Sequence, residues 1–205
     1  PSAVSAVQAY RRSTDSSIGQ LDAHRFGEAV ESGATDLSAN GNTVVGYVYP
    51  NYSGGGTAAI WDSSGQMNYI DDLTIANSVA ADGSVIVGVR YLNGLRPVRW
   101  SSDEGVKDLG YLSKLNPTGA ATAVSGDGSV VVGYSYSATH PVNESFRWTE
   151  EAGMIGLGFL DSTGKQSKAR ATTQSGEAVV GVESADAFLW TERFGMESLQ
   201  LALVN

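Results

Sequence analysis

The stretch from Ala121 to Tyr136 reads A-T-A-V-S-G-D-G-S-V-V-V-G-Y-S-Y, and it is one of four related copies in the chain. The other copies open at Ala34 (A-T-D-L-S-A-N-G-N-T-V-V-G), Asn77 (N-S-V-A-A-D-G-S-V-I-V-G) and Ala171 (A-T-T-Q-S-G-E-A-V-V-G). Their turn glycines lie 42, 45 and 48 residues apart, at Gly41, Gly83, Gly128 and Gly176. A self-similar period of this size indicates an architecture of stacked or radially arranged repeats.

Each copy can be divided into four strands. The Ala121 copy predicts a first strand up to Ser125, a turn at Asp127-Gly128 and a β-branched second strand over Val130 to Tyr136. Asp-Gly and Asn-Gly pairs tolerate the positive φ of type I′ hairpin turns, which favours a tight hairpin here. A third strand then ends at a tryptophan, and a glycine turn leads to a fourth strand. The tryptophans are Trp61, Trp100, Trp148 and Trp190, and the fourth strands are predicted around 67–73, 106–112, 154–160 and 196–203.

Four strands in about 45 residues match one blade of a propeller. The sequence therefore predicts an all-β fold with an antiparallel, propeller-like repeat architecture. Residues 1–205 are read as a single β-repeat domain with a half repeat at 1–22 and full repeats at about 34–73, 76–112, 120–160 and 169–203. Four full repeats and a half repeat predict about five small blades. The alternative is an open β-repeat array, and the lack of an initial Met suggests a piece excised from a longer protein.

Composition narrows the choice of partners. The formal net charge is −9 and the sequence contains no cysteine. An acidic surface repels phosphate backbones, so we expect no nucleic-acid partner. The absence of cysteine excludes disulfides and thiolate chemistry. No apolar run approaches the length of a membrane helix, so direct membrane insertion is not expected.

The third copy resembles the HAF repeat of bacterial extracellular proteins, which is named for a His-Ala-Phe tripeptide before Arg-Trp. It has A-T-A-V-S-G-D-G-S-V-V-V-G, then E-S-F-R-W, then G-M-I-G-L-G-F-L, and the fourth copy keeps D-A-F-L-W and G-M. The tripeptide histidine is missing from every copy; Glu144 and Asp186 lie nearby. The resemblance covers residues 34–203 and implies an exported protein, extracellular or at the cell surface, similar to an autotransporter passenger. It implies no catalytic mechanism.

Residues that vary between the copies are the best candidates for function, because loops carry function on repeat scaffolds. Three of the loops between the second and third strands begin with tyrosine. An aromatic rim for ligand binding is therefore predicted at Tyr49, Tyr52, Tyr91 and Tyr136. The competing interpretation is that these rings end strands and pack on neighbours. The repeated tryptophans are interpreted as packing residues, and the Asp-Gly pairs as turns rather than calcium loops.

No catalytic residue, metal site or cofactor is predicted. His24 and His140 are the only histidines and are expected to be exposed. The predicted function is non-enzymatic: adhesion, or binding of a glycan or a host or cell-surface protein. A structural spacer in a larger autotransporter-type protein and, less favoured, a polysaccharide-acting enzyme are the alternatives. Self-association through the N-terminal half repeat is also predicted, since an open sheet edge invites pairing.

Overall fold

The computed structural model describes residues 10–12, 18–21, 31–49 and 55–202 of the chain. The first sheet has two antiparallel strands, β1 (Tyr10–Arg12) and β2 (Ile18–Gln20), and both fall within the predicted half repeat. Every full repeat forms one four-stranded antiparallel sheet, which we call a blade, with its strands hydrogen-bonded in chain order. The expected all-β antiparallel repeat fold is therefore confirmed.

The strand bounds are as follows. Blade 1 contains β3 (Glu31–Leu37), β4 (Val44–Tyr49), β5 (Thr57–Trp61) and β6 (Met67–Ile70). Blade 2 contains β7 (Ile75–Val79), β8 (Val85–Tyr91), β9 (Leu95–Ser101) and β10 (Gly105–Asp108). Blade 3 contains β11 (Gly119–Val124), β12 (Val130–Tyr136), β13 (Asn143–Thr149) and β14 (Gly153–Gly156). Blade 4 contains β15 (Ser167–Thr172), β16 (Ala178–Glu183), β17 (Asp186–Thr191) and β18 (Gly195–Ser198).

The fourth strands are shorter than the sequence pattern predicted. In blades 1 to 3 the chain leaves the sheet near a residue with positive φ: Asp72 (65°), Gly110 (85°) and Gly158 (80°). A left-handed residue reverses the extended path, so the strand ends before it. In blade 4 the predicted strand 196–203 is wrong over Leu199–Ala202, which forms the short helix α1; residue 203 lies outside the described residues.

The first hairpin turn of each blade is longer than a two-residue type I′ turn. Gly128 has φ of 75°, whereas Asp127 does not have the positive φ that a type I′ turn requires at both central positions. The Gly128 amide donates to the Ser125 carbonyl at 2.9 Å, and the Ser125 amide donates to the Val130 carbonyl at 2.8 Å. The Asp127 carboxylate accepts hydrogen bonds from the Ser129 amide and hydroxyl and from the Ser125 hydroxyl. The aspartate therefore closes the turn through its side chain rather than through its backbone angle.

A β-bulge occurs in the first strand of every blade. The bulged residues are Thr35, Asn77, Thr122 and Arg170. Opposite each bulge the second strand has a glycine: Gly46, Gly88, Gly133 or Gly181. A Cβ at these glycines would lie between 1.9 and 2.3 Å from a first-strand carbonyl oxygen. The glycine that ends the V-V-G phrase is therefore required opposite the bulge, because no side chain fits at this position.

The hydrophobic cores lie between consecutive blades rather than within them. One core joins Val85 and Val87 of blade 2 to Val131, Phe146 and Trp148 of blade 3. Equivalent clusters join blade 1 to blade 2 and blade 3 to blade 4, and Leu21 packs with Trp61 and Met67 of blade 1. Each tryptophan takes part in one of these clusters, which agrees with its interpretation as a packing residue.

Hydrogen bonds from the bulges also connect consecutive blades. Thr35 Oγ1 donates to the Ala76 carbonyl at 2.5 Å. Asn77 Nδ2 donates to the Ala121 carbonyl at 2.7 Å, and Thr122 Oγ1 to the Ala169 carbonyl at 2.9 Å. Each acceptor is on the first strand of the following blade, so the bulge positions a side chain that holds the next blade in place.

Candidate functional site

The strand connections divide each blade into two ends. The turns between first and second strands and between third and fourth strands lie at one end, which we call the turn face. The loops between second and third strands and the connectors between blades lie at the other end, the loop face. The Ala39 amide donates to the Ala81 carbonyl at 3.0 Å and the Ala81 amide to the Gly126 carbonyl at 2.9 Å. These bonds align the turn faces of blades 1 to 3, and the loop faces are aligned with them.

The two faces differ in regularity. The turns between first and second strands cover 38–43, 80–84, 125–129 and 173–177, which are nearly equal in length. The loops between second and third strands cover 50–56, 92–94, 137–142 and 184–185, which differ in length. The connector 71–74 is also shorter than the connectors 109–118 and 157–166. Variation is concentrated on the loop face, where the tyrosines were predicted to act.

The predicted tyrosines occupy one equivalent position, the last residue of the second strand. Tyr49, Tyr91 and Tyr136 end β4, β8 and β12. Tyr91 is 69% exposed, whereas Tyr49 and Tyr136 are half-buried. Tyr49 stacks edge-on with Tyr47, with ring centroids 5.2 Å apart. Tyr52 lies outside the described residues. Among the tyrosines that the structure describes, no ring contact joins one blade to another, so they are three separate positions on one face.

An aromatic and charged group lies beside the loop 92–94 that follows Tyr91, on the opposite face of the sheet from the Tyr91 side chain. Arg96 lies over the Tyr111 ring, with 5.9 Å between the guanidinium carbon and the ring centroid. Burial raises the pKa of the Tyr111 hydroxyl, and the charge of Arg96 opposes that shift. Asp108 accepts two hydrogen bonds from Arg90 Nη2, at 2.9 and 3.0 Å, and lies 3.7 Å from Arg96 Nη1.

Two exposed leucines extend this group. Leu92 is 51% exposed and Leu115 is 92% exposed. Their loops meet, because a Cβ on Gly94 would lie 3.8 Å from the Pro117 carbonyl oxygen. We call Tyr91, Leu92, Arg96, Tyr111 and Leu115 the Tyr91 patch. Sequence reasoning named only Tyr91 as a site residue. Tyr111 was interpreted as part of the fourth strand 106–112, and Leu115 lies between the predicted repeats 76–112 and 120–160.

The histidine of the blade 3 loop is not exposed as expected. His140 is half-buried, its ring lies edge-on against Phe159 at 4.8 Å, and its Nδ1 lies 3.0 Å from Thr139 Oγ1. A Cβ on Gly164 would lie 2.2 Å from the His140 ring, so the connector 157–166 packs closely against the loop. Here the aromatic side chains join two loops to each other. His24 lies outside the described residues.

Two buried glutamates hold the same connector. Glu144 is 8% exposed, and its Oε1 accepts from the Gly158 amide at 3.1 Å while its Oε2 accepts from the Ser137 hydroxyl at 2.5 Å. Glu183 is 2% exposed, and its Oε2 accepts from the Leu160 amide at 3.0 Å. Burial raises the pKa of Glu183, and the hydrogen bond from the Leu160 amide partly offsets this. The sequence did not reveal these roles, because the E-S-F-R-W motif that contains Glu144 does not show which backbone amides a carboxylate accepts from.

The turn face carries two equivalent clefts at consecutive blade boundaries. The larger, about 410 Å³, lies between blades 3 and 4 beside Arg147, Gly176, Trp190 and Phe194. The other, about 330 Å³, lies between blades 2 and 3 beside the equivalent Arg99, Gly128 and Trp148. Arg99 Nη1 pairs with Glu104 Oε2 at 2.8 Å, and Arg147 Nε donates to the Gly176 carbonyl at 3.3 Å. Arg99 is therefore held by a residue of its own blade, whereas Arg147 of blade 3 bonds across the boundary to blade 4.

Comparison with solved structures decides the fold. TolB from Acinetobacter baumannii superposes with a TM-score of 0.63 at 14% identity, over 89% of this chain and 47% of that one. A putative TolB from Agrobacterium tumefaciens gives 0.64 at 15% identity, over 93% and 72%. The chain is a β-propeller. At these identities the likeness concerns the fold, and the propeller spans about half the length of the Acinetobacter protein.

A third similar structure comes from a study of two prolyl endopeptidases, with a TM-score of 0.62 and 13% identity over 93% of this chain and 32% of that one. No protein-family model and no curated protein sequence matches the propeller. The resemblance to HAF repeats therefore stays a prediction. Within the described ranges no three His, Asp or Glu side chains group as a metal site. No helix in the same ranges is long and apolar enough to cross a membrane.

Proposed function

We propose that this propeller is a non-enzymatic, exported binding domain that recognises a glycan or a protein at a cell surface through the Tyr91 patch. The observation that carries the proposal is the exposure of Tyr91 and Leu92 at a loop that Arg96 Nε bonds through the Leu92 carbonyl, and of Leu115 in the connector that meets this loop. Exposed apolar groups rimmed by polar ones are typical of interaction sites, and Tyr and Arg are enriched where partners bind. Export is supported by the HAF-like hairpin phrase.

The titratable side chains of the loop face favour binding over catalysis. Glu144 and Glu183 accept hydrogen bonds from the backbone of connector 157–166. The His140 ring lies against Phe159. These groups hold loops in place, which is a structural use of residues that an enzyme would direct at a substrate.

The irregular loop face also weighs against the spacer alternative. A spacer needs only repeated packing surfaces, and the turn face has this character. The loops of 92–94, 137–142 and 184–185 differ in length and sequence, although the blades that carry them are alike. Such differences are typical of a face that has acquired specific contacts.

The test is binding of the labelled chain to a glycan array and to intact bacterial and animal cells. Tyr91→Ala and Leu115→Ser should each weaken binding at least tenfold. Phe194→Ala is the matched control, because Phe194 is 62% exposed but lies on the turn face. Array binding would identify a glycan ligand, and binding to cells that protease treatment abolishes would identify a protein. Binding lost in Phe194→Ala but kept in Tyr91→Ala would overturn the assignment of the patch, and no binding at all would favour the spacer.

A further inference from the structure

The face of each blade that points to the next blade is built from the second strand. In blades 1 to 3 the valine before the strand glycine lies on this face, and Val45, Val87 and Val132 are each 0% exposed. The first strand of the following blade covers them, and its alanines, Ala76, Ala121 and Ala169, are also 0% exposed. One pattern of contact therefore occurs at three successive boundaries.

Blade 4 has the same face without a cover. Val180, which corresponds to Val132, is 37% exposed, and Val182 two residues further is 36% exposed. Arg170 is exposed at the bulge position from which Thr122 and its equivalents bond to the next blade. In the described part of the chain, no strand of blade 1 packs against blade 4 as extensively as consecutive blades pack.

The repeated boundary indicates what fits this face. At the boundary of blades 3 and 4 the covering element is a first strand together with its hairpin turn, since a Cβ on Gly176 would lie 2.3 Å from Val130. The described N-terminal sheet lacks the same element: β1 and β2 correspond to a third and a fourth strand, and no second strand pairs with β1 among the described residues. The hairpins of blades 2 to 4 already cover the preceding blade, so among the described blades of a second copy only blade 1, where Ala34 is exposed, could compete for this face.

We propose that the free face of blade 4 is a docking site for a β-hairpin that has this repeat's own pattern and is not part of blades 1 to 4. Its first strand covers Val180 and Val182 with small side chains, and its glycine turn lies against Ala178. Recognition rests on apolar contacts and on backbone carbonyls that face the bulge, in the same way as at the three covered boundaries. The site is independent of the Tyr91 patch, which belongs to the loop face between blades 2 and 3.

The experiment uses a synthetic peptide of residues 118–137, the hairpin of blade 3, added to the full chain. We expect saturable one-to-one binding in calorimetry and slower amide exchange over β16. The double variant Val180→Asp, Val182→Asp should weaken binding at least tenfold. Ile155→Asp is the matched control, because Ile155 is 41% exposed on β14 and should leave the affinity unchanged. A peptide with alanine at the position of Gly133 should bind at least tenfold more weakly.

A second experiment covers the case in which the free peptide does not fold on its own. The same hairpin joined to Asn205 by a flexible linker should raise the thermal midpoint of the chain, and the double variant should abolish the increase. No increase, or an increase that survives in the double variant, would overturn the proposal. Dimerisation of the unmodified chain that the double variant abolishes would also overturn it, because a second copy would then be the occupant. Truncation of residues 1–22 tests whether such a dimer forms through the half repeat, as the sequence predicted.

Discussion

Blades 3 and 4 have nearly the same sequence pattern and strand pairing, yet their second strands differ in burial. The burial of β12 is almost continuous from Val130 to Gly133, whereas buried and exposed residues alternate along β16. Val132 is covered by blade 4, and the equivalent Val180 is 37% exposed. The comparison teaches that each repeat encodes both sides of an interface, and that a valine becomes a core residue only when the next blade is present.

The largest expected effect comes from a charge at the two equivalent valines. Val132→Asp places a carboxylate in the core between blades 3 and 4 without a partner, which should cost more than about 3 kcal/mol of unfolding free energy. Val180→Asp should change it by less than about 0.5 kcal/mol, because that side chain already reaches solvent. Urea unfolding followed by circular dichroism measures both. Equal losses in the two variants would show that blade 4 is covered in solution.

Substitution of the strand glycines should cost a similar amount of stability in blades 3 and 4. A Cβ would lie 2.0 Å from the Ala120 carbonyl oxygen at Gly133 and 2.3 Å from the Lys168 carbonyl oxygen at Gly181. Both contacts lie within one blade, so Gly133→Ala and Gly181→Ala should each cost at least about 2 kcal/mol through overpacking. Thermal unfolding of the two variants is the measurement. A harmless change at Gly181 would mean that blade 4 lacks the rigid bulge described here.

Substitutions at the bulge residues should also affect the stability of blades 3 and 4 differently, by a smaller amount. Thr122 Oγ1 donates to the Ala169 carbonyl across the boundary at 2.9 Å, and Thr122→Val removes this bond at nearly constant volume. We expect a loss of about 1 kcal/mol. Arg170→Ala removes the exposed equivalent and should change the unfolding free energy by less than about 0.5 kcal/mol. The two should be compared in one urea series at neutral pH.

The smallest expected effect is on the stability of the chain at acid pH. Hydrogen bonds from the Ser125 hydroxyl and from Ser129 lower the pKa of Asp127. The resulting stabilisation is complete above the ordinary carboxyl pKa and is lost as the pH falls through the lowered value. Asp127→Asn should therefore flatten the decline of stability below about pH 4. Ser175→Ala, the corresponding change in blade 4, should leave the decline as it is. Melting curves from pH 2 to pH 7 are the measurement. The same decline of stability with falling pH in Asp127→Asn and in the unmodified chain would contradict the prediction.

Much of the fold could be predicted because the same pattern of strands and turns occurs in four copies along the sequence. The predicted second strand of blade 3, Val130 to Tyr136, agrees with β12. The fourth strands were predicted too long, since Gly110 and Gly158 fit both a strand end and a tight turn. The bulge was not predicted, because first strands of only five to seven residues are too short for a one-residue shift of the alternation to be recognised. Its indirect sign was the glycine that ends each V-V-G phrase.

The candidate site could be predicted only in part. Tyr49, Tyr91 and Tyr136 were found because they vary in surroundings but recur in position. Their different exposures depend on connectors from neighbouring blades, such as the one carrying Tyr111 and Leu115, which no repeat pattern specifies. Glu144 and Glu183 hold loops through backbone amides, and a pattern of side chains does not contain such contacts.

Because each blade has a single tryptophan, tryptophan fluorescence can report on the blade boundaries one at a time. Trp61, Trp100, Trp148 and Trp190 each lie at a different blade boundary, from fully buried at Trp61 to half-buried at Trp190. Stability in a linear array is approximately a sum of units and nearest-neighbour contacts, so unfolding can spread from an end. Chains that keep one tryptophan and have phenylalanine at the other three positions would report each boundary by emission wavelength. The order in which those signals change would trace the route by which the array comes apart.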